Sequence, residues 1–283
     1  MSVAGLGFAL AAALSWGVGD FAGGVATRRA GALLVGVAME SVGLGFALAF
    51  ALLSGGSFPS PAGVAWSAAA GIAGVIGLLA FYRGLATGSM SLVAPVAAVV
   101  GAGLPVLAGH VLGEQLTRGQ VVGILAALAA VALVSRPGEG EGGDGRGGVW
   151  LALFAGLGFA AYFVGMDRAI AAGAGSWWPL PIARAGSIVV TGAGLVATGQ
   201  THDLRRVATP LILLCGLGDT LGNLGFLAAR SVGMLGPSAV VASLYPAVTV
   251  VLAWLFLSER LSRQHLAGVA LAFAGIMLIA LPV

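Results

Sequence analysis

A chain of 283 residues with 59% hydrophobic and 8% charged side chains cannot cover its apolar surface in water, where domains carry about 25% charged residues. A mean hydropathy of +1.05 excludes a soluble enzyme or binding module and makes lipid the solvent. The formal net charge of +3 rests on arginines without any lysine. Most sit at the ends of apolar runs, as topology signals and headgroup contacts do, and they form no nucleic-acid patch.

Ten apolar runs approach or exceed the roughly 20 residues that a spanning helix needs. They cover 4–25, 31–53, 62–84, 89–112, 119–135, 149–170, 177–198, 209–230, 234–257 and 264–282. All are too long and too uniformly apolar for the alternating strands of a barrel. The first run begins without a positive n-region, so it reads as a span and not as a cleaved signal. Trp177-Trp178 opens the seventh run as an interfacial belt. Pro95, Pro105, Pro179, Pro181 and Pro246 are expected to interrupt helices, which spans tolerate. The 48 glycines serve close helix packing.

A repeat organises these runs. Leu112-Gly113-Glu114-Gln115-Leu116-Thr117 recurs 145 positions on as Leu257-Ser258-Glu259-Arg260-Leu261-Ser262. The same offset superposes Gly71 on Gly216, Gly77 on Gly222, Phe81 on Phe226 and Gly123 on Gly268. Two units result, 1–137 and 149–283, joined by a flexible Gly-rich charged linker over 138–148. Five spans per unit is an odd number, so the second unit enters the membrane from the other side. The fold class is an all-α membrane protein with ten transmembrane helices in two inverted five-helix repeats.

The paired Leu-Gly/Ser-Glu-Gln/Arg-Leu-Thr/Ser motifs resemble the EamA domain of the drug/metabolite transporter superfamily. Tyr245-Pro246 before Glu259, Ser15-Trp16-Gly17 in the first span and Arg184 in the seventh fit the same profile. The resemblance covers essentially the whole chain in two copies. It implies a ten-helix carrier with a central cavity and alternating access, acting on a small-molecule substrate in the inner (plasma) membrane. It also implies both termini in the cytoplasm. Nine loop arginines on the opposite side against three on the termini's side point the other way under the positive-inside rule.

A charge within a span costs about 2.5–3.5 kcal/mol on insertion scales and so needs a partner or a purpose. Glu40 and Arg184 occupy equivalent places in the second and seventh spans, which sets opposite charges facing one centre. Two roles fit: Arg184 holding an anionic solute group with Glu40 binding an amine or a proton, or a permanent ion pair that fixes packing. Asp219 and Asn223 lie four apart on one face of the eighth span. Their counterparts Gly74 and Leu78 are apolar, so this polarity belongs to a substrate or to an interhelical hydrogen bond. Asp20 lies near the end of the first span, at a cavity mouth or an interface. Asp20, Glu40 and Asp219 are the proton-coupling candidates. Trp16, Tyr82, Phe159, Tyr162 and Tyr245 are candidates for cavity walls and cation–π faces.

Glu114 and Glu259 read as helix-end anchors. The single Cys215 excludes a disulfide. His110, His202 and His265 are scattered, so no metal site is expected. Without a nucleotide loop or a catalytic constellation, neither an enzyme nor a cofactor is expected. The functional expectation is a secondary transporter, an exporter before an importer, of an amino acid or drug-like compound. Protons or solute exchange would drive it. An uncoupled facilitator, a membrane-embedded enzyme and a membrane receptor are the alternatives. A monomer suffices because the inverted pair is built in, and the glycine-rich faces also allow a homodimer.

Overall fold

A computed structural model describes residues 2–55, 57–87, 90–134, 145–173, 177–199, 210–257 and 263–280. These residues form helices and connections without a strand, as apolar segments must when lipid offers the backbone no hydrogen bonds. The first half contains α1 (Val3–Ala30), α2 (Ala32–Leu53), α3 (Pro61–Thr87), α4 (Met90–Val111) and α5 (Arg118–Val134). The second contains α6 (Gly145–Ala171), α7 (Pro179–Thr198), α8 (Pro210–Val232), α9 (Leu235–Ala242), α10 (Tyr245–Leu257) and α11 (Arg263–Ala280). Six of them, α1, α2, α3, α6, α7 and α8, contain stretches long and apolar enough to cross a membrane.

Three sequence expectations need correcting. The ninth apolar run is two helices, not one, broken at Ser243 and Leu244. Pro246 has no N–H to donate to the carbonyl of Ala242, so the helical ladder fails there. Its first-half counterpart is Gly101, and α4 runs unbroken through that position. The other four prolines interrupt nothing. Pro95 and Pro105 lie inside α4, and Pro179 and Pro181 open α7, where a missing N–H costs least. Finally, α6 already begins at Gly145, so the last residues read as linker are helical. Residues 135–144 lie outside the described residues.

Helices of opposite halves make the most extensive contacts, whereas the sequence neighbours α1 and α2, or α2 and α3, touch little. The pairings match across the halves. The packing of α1 on α8 has its counterpart in α6 on α3, that of α3 on α7 in α8 on α2, and α5 packs on α11. Glycine makes three of these approaches possible. A Cβ on Gly158 would stand 2.6 Å from Gly77 Cα, one on Gly218 2.9 Å from Gly19 Cα, and one on Gly123 2.8 Å from the Gly275 carbonyl. Small residues at the seam supply close contact where lipid removes any hydrophobic drive between helices. At Gly71 a Cβ would strike the carbonyl of Ala183, which brings α3 against α7 one residue before Arg184.

The outer surface is apolar. Leu53, Trp150, Phe154, Val189, Val196, Phe273 and Met277 are all more than half exposed, far beyond the apolar patches a soluble monomer tolerates. The interior holds small residues and a few polar side chains, among them Glu40, Asp167, Arg184, Thr220 and Asn223.

Candidate functional site

Four helices bring their polar residues to one buried chain of contacts. Arg184 on α7 donates through Nη1 to Oε2 of Glu40 on α2 at 2.7 Å. Its Nη2 donates to Oδ2 of Asp219 on α8. Asn223, one turn on, donates through Nδ2 to the Asp219 carbonyl at 2.7 Å and to Asp219 Oδ2 at 3.1 Å. The chain ends on α6, where the Tyr162 hydroxyl donates to Asn223 Oδ1. Charge-assisted bonds of this kind in a low-dielectric interior are strong and cooperative.

The local sequence makes room for this chain. A Cβ on Gly43 would lie 3.2 Å from Arg184 Nε and 2.7 Å from Thr220 Oγ1, so a glycine on α2 lets the guanidinium lie flat against that helix. Arg184 Nε itself is buried without a hydrogen-bond partner. Burial is uneven along the chain. The Glu40 and Arg184 side chains are 5% and 7% exposed, while that of Asp219 is 22% exposed. Asp219 and the half-buried Tyr162 are therefore the least buried members of the chain.

An aromatic cluster adjoins this chain. Trp16 on α1 lies 5.9 Å from Phe163, 6.4 Å from Phe226 and 6.2 Å from Tyr245 between ring centroids, and Tyr162 lies 5.9 Å from Phe163. Gly222, next to Asn223, sits under the Trp16 indole, where a Cβ would come within 2.7 Å of its Nε1. Phe159 stands apart from these rings, 5.8 Å from Phe81 and under Gly101. Asp20 is exposed on α1. Its neighbour Gly19 closes on α8 so tightly that a Cβ there would be 2.9 Å from the Asp219 backbone nitrogen. The Tyr82 side chain lies outside the described residues.

The structure thus joins Glu40, Arg184, Asp219, Asn223 and Tyr162, groups Trp16 and Tyr245 nearby, and leaves Phe159 in a separate contact. That Arg184 serves Asp219 as well as Glu40 is not visible in the spacing, because the two carboxylates lie 179 positions apart in sequence.

Two further polar arrangements escape sequence reasoning. Asp167 on α6 is 1% exposed and holds two arginines, Arg168 at 2.8 Å and Arg230 of α8. The only available signal was an Asp-Arg pair near the end of a span. Arg230 also donates to the Gly233 carbonyl at 2.7 Å. Glu114 does more than anchor its own helix end. Its carboxylate accepts the backbone N–H of Gly236 at 3.0 Å and that of Leu235. An anion from the first half thereby caps the N-terminus of α9 in the second, where the helix dipole favours it. Among the described residues no group of three or more His, Cys, Asp or Glu side chains could hold a metal ion.

Comparison with known proteins bears on the fold and the family. A solved crystal structure superposes with a TM-score of 0.79 over 98% of this chain and 96% of its own, at 17% sequence identity. That likeness concerns the fold. No curated protein matches the chain significantly in sequence. The model of the EamA-like transporter family matches twice, over residues 3–136 and 146–281. With nearly its whole length covered by two copies of that unit, the chain is a multi-pass membrane protein and belongs to the EamA-like transporter family.

Proposed function

We propose that this chain is a secondary transporter of a small polar or amphipathic metabolite, such as an amino acid or drug-like compound, acting as an exporter in the inner (plasma) membrane. Ten crossings in two inverted repeats, 1–137 and 149–283, would enclose a central cavity with alternating access, the split α9–α10 segment counting as one crossing. The observation that carries this reading is the buried chain Glu40–Arg184–Asp219–Asn223–Tyr162. It links the two halves within a membrane protein, where intramembrane charges mark solute and ion pathways by default. Its contacts support a solute site at the Asp219 and Tyr162 end, with the Glu40–Arg184 pair as its anchor. A proton gradient or solute exchange would supply the energy, with Asp20, Glu40 and Asp219 as the carboxylates available to carry a proton.

The test is a metabolite screen by thermal stabilisation of the purified protein, since a solute that binds only the folded state raises its stability by mass action. Hits then go to flux assays in proteoliposomes. A zwitterionic or charged hit lost in both Glu40→Gln and Arg184→Gln is expected. Normal flux by the Glu40→Gln, Arg184→Gln double variant would make the pair purely structural. A reporter fused to one terminus decides which side the termini occupy.

A further inference from the structure

We propose that the Asp167–Arg230 ion pair is a latch, which holds the central lumen shut at the end of the bundle where the chain begins and leaves the solute site open only towards the other end. The inference rests on the transport reading above and adds which end is closed and by which groups. Each of α1, α8, α2, α7, α3, α6, α4 and α9 packs on the next, and α9 packs on α1, so the eight close into a ring. In that order α6 and α8 stand on opposite sides, and they touch little. Among the described residues two polar contacts nevertheless cross between them. Tyr162 meets Asn223 beside the proposed solute site. Five residues farther along α6 and seven farther along α8, Asp167 meets Arg230. The Ser2 hydroxyl, ahead of α1, donates to the Val232 carbonyl at 3.2 Å, which marks this as the end where the chain begins.

Burial changes sharply along the lumen. Around and between the two crossings the interior is packed solid: Trp16, Phe163, Met166, Phe226, Leu227 and Leu235 belong to one cluster, and none is more than 8% exposed. Towards the other end the same helix faces open. Asp20, one turn beyond Trp16 on α1, is exposed. Along the face of α8 that carries 226, 223 and 219, burial relaxes from the fully buried Phe226 to the Asp219 side chain at 22%. The ion pair across the closed end is also built to part. Asp167 is bonded to Arg168 as well, at 2.8 Å, so it keeps one cation when Arg230 leaves. The departing guanidinium is already 27% exposed and moves into water. Neither charge is then left buried and unpaired, the condition that makes breaking an ion pair costly. The Glu40–Arg184 pair, 5% and 7% exposed, has no such escape and stays as the fixed element.

The test puts one cysteine into the packed cluster, Ala239→Cys in a Cys215→Ala background; Ala239 is 0% exposed and belongs to that cluster. The protein is reconstituted in proteoliposomes whose orientation is read from protease cleavage of an N-terminal tag, and a membrane-impermeant maleimide is added from either side. Asp167→Asn is expected to speed labelling about tenfold, and only from the side where the chain begins, because loss of a closing contact multiplies the minor open population. Arg230→Gln, which leaves Asp167 its bond to Arg168, repeats the measurement should Asp167→Asn fail to fold. In the converse experiment Asp167→Cys and Arg230→Cys are joined by a short bis-methanethiosulfonate reagent. Solute flux then stops and returns on reduction, while binding persists. Unchanged labelling in a folded variant, faster labelling from the opposite side, or full flux through the joined protein overturns the latch. The two readings fail separately. Faster labelling without flux of any screened solute breaks the transport reading alone, whereas flux that the joined pair leaves untouched breaks the latch alone.

Discussion

The two ion clusters of this bundle are built from the same groups in opposite ratio. Around Arg184 one guanidinium serves two carboxylates, and around Asp167 one carboxylate serves two guanidiniums. Each is unbalanced by one charge, and their positions decide what the imbalance does. Arg168 and Arg230 are 32% and 27% exposed at the C-terminal ends of α6 and α8. Their surplus positive charge is solvated and sits where the helix dipole favours a cation. The surplus negative charge around Arg184 lies deep in the bundle, with Asp219 as its one accessible member. The Asp167 surplus is thus carried by two part-exposed guanidiniums at helix ends, and the Arg184 surplus by one part-exposed carboxylate in the middle of a span.

Arg184→Gln breaks this comparison most severely. It leaves Glu40 and Asp219 without their cation, and removing one partner of a buried pair costs about 3–5 kcal/mol. Thermal unfolding in detergent should fall well below wild type, with partial recovery in the Glu40→Gln, Arg184→Gln double variant. A wild-type melting curve for the single variant would mean that the two carboxylates do not depend on Arg184. Gly71→Ala attacks the same cluster indirectly. Its new methyl group meets the Ala183 carbonyl and pushes α7, with Arg184, away from α3. Overpacking of this kind costs about 1–3 kcal/mol, and solute affinity should fall with stability.

Asp167→Asn sharpens the contrast. Because both arginines are already part-exposed, the expected loss is about 1–2 kcal/mol, and solute binding should stay unchanged. Lost binding with intact folding would make the Asp167 cluster part of the solute path. The smallest effect belongs to Glu114→Gln, which keeps the shape of the α9 cap and removes its charge. A loss of about 0.3–1 kcal/mol is expected, read from the same melting curves, and a change greater than that of Asp167→Asn would reverse the ranking.

Much of this molecule was legible in one dimension. The apolar runs, the sparse charges and the 145-residue offset settle a helical, duplicated membrane protein, because hydrophobic length and repetition are properties of the chain itself. The equivalent places of Glu40 and Arg184 in the two halves even foretold their meeting. Other features depend on three-dimensional packing. Asp219 joins Arg184 because Gly216 lets α8 close on α2 at Met39, next to Glu40, and because Gly43 leaves the guanidinium room beside α2. Asp167 finds Arg230, and Glu114 finds the N-terminus of α9 across 121 residues, only after the halves interlock. Pro246 breaks its helix while Pro95 and Pro105 leave α4 continuous, a difference composition does not encode. Hydrophobic pattern selects which segments enter lipid. Which polar groups then face one another is set by interhelical distance and rotation, and here the glycine contacts between opposite halves decide both.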